Sequence, residues 1–201
     1  MCAYIRLPSL FEYLLGGLVT AFFITTNSTK ENTMARANAN GKFYICTTPQ
    51  PSDLTKEQFE ALEWTKIEEV GKLPESGSST NIIKYDTIDT TVTQKAKGVT
   101  DAGGGSLEVA YTPDAPGQQA LRKIAGNNYM YATKREVNDA PDENHTNSVF
   151  YNRGLITGPV RSGGGVEDFI TETYTIANNQ LEIVVPPQLK TNVPQQTQET
   201  E

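Results

Sequence analysis

The side chains that most often do chemistry are scarce in this chain. There is one histidine, His145, and there are two cysteines, Cys2 and Cys46. A zinc centre built from imidazole and thiolate therefore lacks ligands, and a serine–histidine–aspartate triad has only His145 to draw on. His145 lies in the acidic run Asp142-Glu143-Asn144-His145-Thr146-Asn147 with no obvious partner. Asp139, Asp142 and Glu143 offer oxygens to a hard cation, but their spacing does not match a calcium loop with its invariant glycine. The glycine runs at 103–105 and 163–165 invite comparison with phosphate cradles. Neither leads into Lys-Ser/Thr or belongs to a G-x-G-x-x-G run before a helix, so both read as flexible turns. Cys46 follows an aromatic strand and reads as a small buried apolar residue, and Trp64 reads as core. With no nucleophile beside a base, the expectation is a non-enzyme without catalytic, cofactor or metal residues.

Composition explains what the chain is instead built for. Its 201 residues, 37% hydrophobic and 20% charged, suffice for one domain with a real core. The 24 acids against 17 bases leave a formal charge of −7, which argues against a protein that grips phosphate backbones. The 16 glycines and 11 prolines, with many threonines and asparagines, imply many turns and short strands.

The first 33 residues differ from the rest. Residues 13–26 carry no charge, but they fall short of the roughly 20 apolar residues that span a bilayer. Read as a secretory signal, the segment has Pro8 and Glu12 in awkward places and no A-x-A-like cleavage site. Lys30-Glu31 can be encoded as AAGGAG, a bacterial ribosome-binding sequence, with Asn32-Thr33 as a spacer before the ATG of Met34. Residues 1–33 are therefore expected to be a non-native upstream extension, with a signal-like segment as the alternative. A chain starting at Met34 keeps the same charge and only Cys46 as a thiol.

The remaining chain alternates strands and short helices. Residues 43–48 read as a strand that stops at Pro49, and Thr55-x-x-Gln58 is a capping box opening a helix over 56–63. Residues 64–70 read as a strand ended by Gly71. Residues 74–106 hold few apolar side chains among threonines, charges and glycines, and so form a long excursion, with a hairpin around Asp86 to Asp89 projecting from the body. Residues 107–111 form a strand, 118–125 a helix stopped by Gly126, and 129–137, 148–157, 166–176 and 181–185 further strands. Residues 186–201 are a polar tail with little to bury.

At Tyr111-Thr112-Pro113-Asp114-Ala115-Pro116-Gly117-Gln118-Gln119-Ala120-Leu121 the sequence resembles the major tail tube protein of long-tailed bacteriophages, which often shows a strand, a turn and a G-Q-Q-A-L-like helix start. The order of features around it extends the resemblance to residues 41–185: a short helix, the Trp64-x-x-Ile67-x-x-Val70 segment, the polar excursion, Lys97-Gly98, Arg153-Gly154 and the threonine-rich strand at 171–176. The resemblance implies a mainly β fold with one or two short helices: two packed antiparallel sheets, a sandwich or flattened barrel flanked by a helix, with a long projecting loop or hairpin. It divides the chain into a tail tube domain at 34–185 and a tail at 186–201. It implies a virion protein made in the host cytoplasm, with no membrane partner, that forms hexameric rings stacked into a tube around a tape-measure protein. Tail terminator and baseplate or distal tail proteins would be further partners, and DNA would pass through the lumen without specific binding.

In that family the excursion orders on assembly against the neighbouring ring. That role carries over to residues 74–98, with Ser76, Thr80, Ile82, Ile83, Tyr85, Ile88 and Val92 as contact residues, while Trp64, Tyr111, Pro113, Gly117, Gln118, Gln119 and Leu121 carry the fold motif. A net negative subunit suits a conduit along which DNA must slide, so the lumen is expected to be acidic on balance. The type VI secretion tube protein is similar in fold, so a secretion tube subunit is one alternative reading; a secreted β-sandwich binding module with a cleaved signal peptide is another.

Overall fold

A computed structural model of the chain describes residues 37–190; the expected extension at 1–33 and residues 191–201 of the polar tail lie outside the described residues. In chain order the elements are β1 (Lys42–Ile45), α1 (Lys56–Glu60), β2 (Thr65–Ile67), β3 (Val70–Lys72), β4 (Ser79–Tyr85), β5 (Gln94–Asp101), β6 (Gly104–Ala110), α2 (Pro116–Ala125), β7 (Met130–Val137), β8 (Ser148–Arg161), β9 (Thr171–Asn178) and β10 (Ile183–Val185). An 8-stranded antiparallel sheet runs in the order β2-β1-β7-β8-β9-β6-β3, with β10 on β8, and β4 and β5 make a 2-stranded sheet of their own. The fold is therefore mainly β with two short helices and a separate hairpin.

The long strand β8 organises the large sheet. Residues 148–155 pair with β7 and residues 154–161 with β9, with a register shift between Thr157 and Val160 beside the cis Gly158–Pro159 bond. Because β8 serves both halves, the two packed sheets are two halves of one sheet folded on itself. Phe43, Ile45, Ile67 and Tyr131 from one half meet Leu107, Val109, Tyr174 and Ile176 from the other in a single buried cluster, and α2 adds Leu121 and Ile124. On the opposite face of β1, β7 and β8, a second cluster joins Cys46, Phe59, Ala132, Tyr151 and Val185, with Trp64 half-buried against it. The alternation of side chains along each strand sorts residues between the two clusters.

Several expectations shift in detail. The capping box on α1 forms as read: the Thr55 side chain accepts from Gln58 N–H, and the Gln58 side chain accepts from Thr55 N–H. The single strand expected at 64–70 splits at Glu69, whose φ of 54° breaks the pleat, and Gly71 lies inside the second piece rather than ending the first. Gly104 and Gly105 are not a turn; they pair with Ala177 and Ile176 as the start of β6. At the other glycine run, β8 continues to Arg161 and β9 begins only at Thr171, which leaves Val166 and Phe169 exposed in the connection. His145, which the sequence left without a partner, has its Nδ1 2.6 Å from Asp142 Oδ1. Residues 188–190 bond to the loop carrying that pair, through Thr146 N–H to Gln188 C=O and Lys190 N–H to Asn144 C=O.

The split at Glu69 has a topological consequence, for β2 and β3 are chain neighbours yet form the two ends of the sheet order. They do not pair, so the sheet curls without closing into a barrel, and backbone groups at Glu68, between β2 and β3, and at the end of β6 need other partners. Gln118, fully buried, supplies them. Its Nε2 donates to Glu68 C=O (3.2 Å) and Ala110 C=O (2.8 Å), and its Oε1 accepts from Thr112 N–H (2.9 Å) and Arg122 Nη2 (3.1 Å). The preceding Gly117 permits this approach. A Cβ there would lie 2.0 Å from Lys66 C=O and 2.5 Å from Glu68 Oε2, so only glycine lets the first turn of α2 press against the backbone of β2.

Arg122 links the seam to a buried carboxylate. Glu172 is fully buried and accepts from Arg122 Nε at 2.9 Å, Tyr174 Oη at 2.8 Å and Arg161 Nε at 3.1 Å. Burial pushes its carboxyl up, but the hydrogen bonds from Tyr174, Arg122 and Arg161 outweigh burial and hold it below the ordinary 4.5. Burial, with the hydrogen bond to Glu172, pushes the Tyr174 hydroxyl well above its ordinary 10.0.

Two outcomes follow from these contacts. Gln118→Leu strands several buried polar groups at about 1–3 kcal/mol each, so urea unfolding should show a loss of at least about 2 kcal/mol; a loss under about 0.5 kcal/mol would mean that the amide does not hold the seam. A carboxyl held low stabilises the fold above its ordinary value of 4.5 and loses that contribution as pH falls, whereas a tyrosine held high contributes below 10.0 and loses it as pH rises. The melting temperature should fall on both sides of that window, and Glu172→Gln should flatten the acid side; an unchanged acid side would remove Glu172 from the account.

Candidate functional site

The excursion is a hairpin standing apart from the core. β4 and β5 pair Ser79 with Asp101, Thr80 with Thr100, Ile82 with Lys97, Ile83 with Ala96, Lys84 with Lys95 and Tyr85 with Gln94, with a register shift between Thr80 and Ile82. The hydroxyls of Thr80 and Thr100 lie 2.9 Å apart across the strands, and those of Thr87 and Thr90 lie 2.6 Å apart at the tip. Every residue of β4 is exposed, and in β5 only Gly98 is half-buried. Ile82, Ile83, Tyr85, Ile88, Val92 and Val99 are all more than half exposed, from 54% at Ile83 to 108% at Ile88. A two-stranded ribbon with no third strand and no packed face is marginal in water, and six large apolar side chains left on it are available to a partner.

Its two faces differ. Ile83 and Tyr85, with their cross-strand neighbours Ala96 and Gln94, make an uncharged face, while Ile82 and Lys84 share the other with Lys97 and Lys95. Lys84 and Lys95 stand directly opposite each other, an arrangement that is unfavourable until an anionic group comes between or over them.

The neck of the hairpin is a close crossing of backbone. Gly77 has φ 124° and Gly103 has φ 76°, and a Cβ on Gly103 would lie 2.1 Å from Gly77 C=O. Asp101 Oδ1 accepts from Gly103 N–H at 2.9 Å, and Gly103 C=O accepts from Asn178 N–H at 2.9 Å, which ties the neck to the end of β9. Below the neck, Arg135 holds residues 74–76 through Nη1 to Pro74 C=O (3.2 Å) and Nη2 to Ser76 Oγ (2.7 Å).

These contacts divide the residues singled out from sequence into groups. Thr80, Ile82, Ile83, Tyr85, Ile88 and Val92 lie together on the hairpin, while Ser76 lies at its root against Arg135. The motif residues lie in the body. Gly117, Gln118 and Leu121 are buried at the seam and core, and Gln119 Nε2 donates to Pro113 C=O at 2.9 Å. Tyr111 is partly exposed beneath the Arg122 guanidinium, 4.8 Å from its ring centroid, and Trp64 Nε1 donates to Phe59 C=O at 3.2 Å. The lysine pair and the neck were missed in the sequence. The alternation of Lys84, Lys95 and Lys97 with apolar residues signals them only once the shifted register is known. Arg153-Gly154 has a structural role: Arg153 donates to Gln50 C=O, Pro51 C=O and Asp53 Oδ1, each within 3.0 Å, and so fastens the loop after β1.

Among the described residues no three His, Cys, Asp or Glu side chains are placed to hold a metal ion, and no helix is long and apolar enough to cross a membrane. No protein-family model matches the chain, and no curated protein matches it. Among solved structures, the chain is similar to a chain of the anti-feeding prophage baseplate, seen by six-fold symmetrised cryo-electron microscopy, with TM-score 0.48 and 7% identity over 73% of this chain and 91% of that one. It is also similar to a chain of the SPP1 tail tube, a hybrid structure from solid-state NMR and cryo-electron microscopy, with TM-score 0.45 and 12% identity over 73% of this chain and 76% of that one.

A hairpin independent of the core predicts a clean separation of effects. Replacing Ile82, Ile83 and Tyr85 together by serine should leave the unfolding free energy within about 0.5 kcal/mol, while Leu121→Ala in the core should cost about 2–5 kcal/mol. Comparable losses in chemical denaturation would show that the hairpin belongs to the folding unit.

Proposed function

We propose that this protein is a structural subunit of a phage tail, one that polymerises as stacked hexameric rings into the tube through which DNA leaves the virion. The observation that carries the proposal is the hairpin at β4–β5, whose exposed apolar side chains and opposed lysines gain nothing within the subunit. The resemblance of residues 111–121 to the tail tube family supplies the kind of partner, a second copy in the adjacent ring. Gly117 and Gln118 of that motif hold the seam of this fold, so the resemblance falls on residues with a structural reason to be there.

The chemistry suits a self-partner. Lys84, Lys95 and Lys97 would meet the surface of a chain whose formal charge is −7, and the apolar face carrying Ile83 and Tyr85 would lose water on docking. Outer edges of β2 and β3 that end the sheet order offer backbone groups for pairing between copies within a ring. An acidic lumen would let DNA pass, since each cation near a phosphate adds retention. No catalytic step, cofactor or metal enters this role. Tape-measure, terminator and baseplate or distal tail proteins would complete the assembly.

Sedimentation velocity tests the role of the hairpin. Replacing residues 79–101 by a short Gly-Ser link should leave a folded protein, by circular dichroism, that no longer forms the large species of the intact chain. Added salt should also weaken assembly by screening the lysine face. Undiminished assembly of the shortened protein would overturn the proposal.

A further inference from the structure

Where the strap at residues 74–76 crosses the end of the sandwich, it covers a small cavity. Phe43, Thr133 and Ile176 contribute to its wall, along with Arg135, Asn152 and Asn178. Three buried polar atoms among the lining residues have no hydrogen-bond partner among the described residues: Arg135 Nε, Asn152 Oδ1 and Asn178 Oδ1. The remaining atoms of two of these groups are committed elsewhere. Arg135 spends Nη1 and Nη2 on Pro74 and Ser76, and Asn152 Nδ2 donates to Glu182 Oε1 at 3.2 Å, which fixes its amide so that the oxygen is the unpaired atom.

The room available to the centre of a water molecule is about 10 Å³, enough for one water and too small for a hydrated ion or an organic ligand. The unpaired set, one N–H donor and two amide oxygens, is what one water satisfies by accepting once and donating twice. We infer that this cavity is a binding site for a single structural water, held by Arg135, Asn152 and Asn178, which ties the root of the hairpin to β7, β8 and β9.

Leaving three polar atoms unpaired away from solvent is costly, and a water bonded to all three removes that cost. The site joins strands that the chain brings together only through the folded sheet. It also lies beneath the neck that sets the direction of the hairpin, because Asn178 donates its backbone N–H to Gly103. The water would therefore stiffen the platform from which the hairpin projects. This inference concerns the subunit alone and does not depend on what the hairpin docks against.

A crystal structure of the intact protein at near-atomic resolution tests the site directly. One water should appear within roughly 2.7–3.2 Å of Arg135 Nε, Asn152 Oδ1 and Asn178 Oδ1. A direct hydrogen bond from Arg135 Nε to either amide oxygen, or a dry cavity, would overturn the assignment. Asn178→Leu, which keeps the branching and heavy-atom count of the side chain but lacks the acceptor, tests the consequence by amide hydrogen exchange. Exchange of the amides of residues 103 and 178, which bond at the neck, should speed by about ten-fold while Leu107 and Val109 in the core keep their protection. Unchanged exchange at these two amides would overturn the bracing role.

Discussion

The amide of Gln118 lies where the sheet comes round to meet itself. β2 and β3 follow each other in the chain but end opposite edges of the sheet, and the backbone between them and just past β6 has no ladder to bond with. One buried side chain bridges Glu68, Ala110 and Thr112 and takes a further bond from Arg122, which reaches on to the buried Glu172. Around that bridge α2 packs on the core through Leu121 and Ile124, the two halves of the sheet face each other across the apolar cluster, and Tyr174 is buried against its carboxylate partner. Gly117 is the steric condition for the approach of α2 to β2.

A body held in this way can carry an appendage that packs against none of its core. Backbone hydrogen bonds, ion pairs and apolar burial concentrate in the folded sheet, while β4 and β5 keep only their mutual pairing and the tie at Gly103. In the proposed assembly such a segment gains its contacts from the adjacent ring, where its ordering cost would be met. The opposed lysines follow the same logic, because they are a defect in the isolated subunit and an advantage against an acidic partner.

Much of this was legible from residue order. The capping box at Thr55, the helix carrying Leu121 and Ile124, the strands rich in aromatic and β-branched residues and the unpacked excursion all announced themselves locally. What stayed hidden was non-local. The left-handed Glu69 divides one apparent strand between two sheet edges, and nothing in the local pattern of residues 64–70 marks it. Gly104 and Gly105 look like a turn until β9 is there to pair with them. His145 had no visible partner because the bond to Asp142 depends on how the loop folds back. That Ile82, Ile83, Tyr85, Ile88 and Val92 find little to pack against was legible from composition, but their division into an uncharged and a basic face needed the register.

In the proposed role the chain assembles with itself into a hollow tube. Negative-stain electron microscopy of the purified intact protein over a range of concentrations tests it most directly. Rings or tubes of uniform diameter with a stain-filled central hole are expected; a protein that stays monomeric under every condition would overturn the tube.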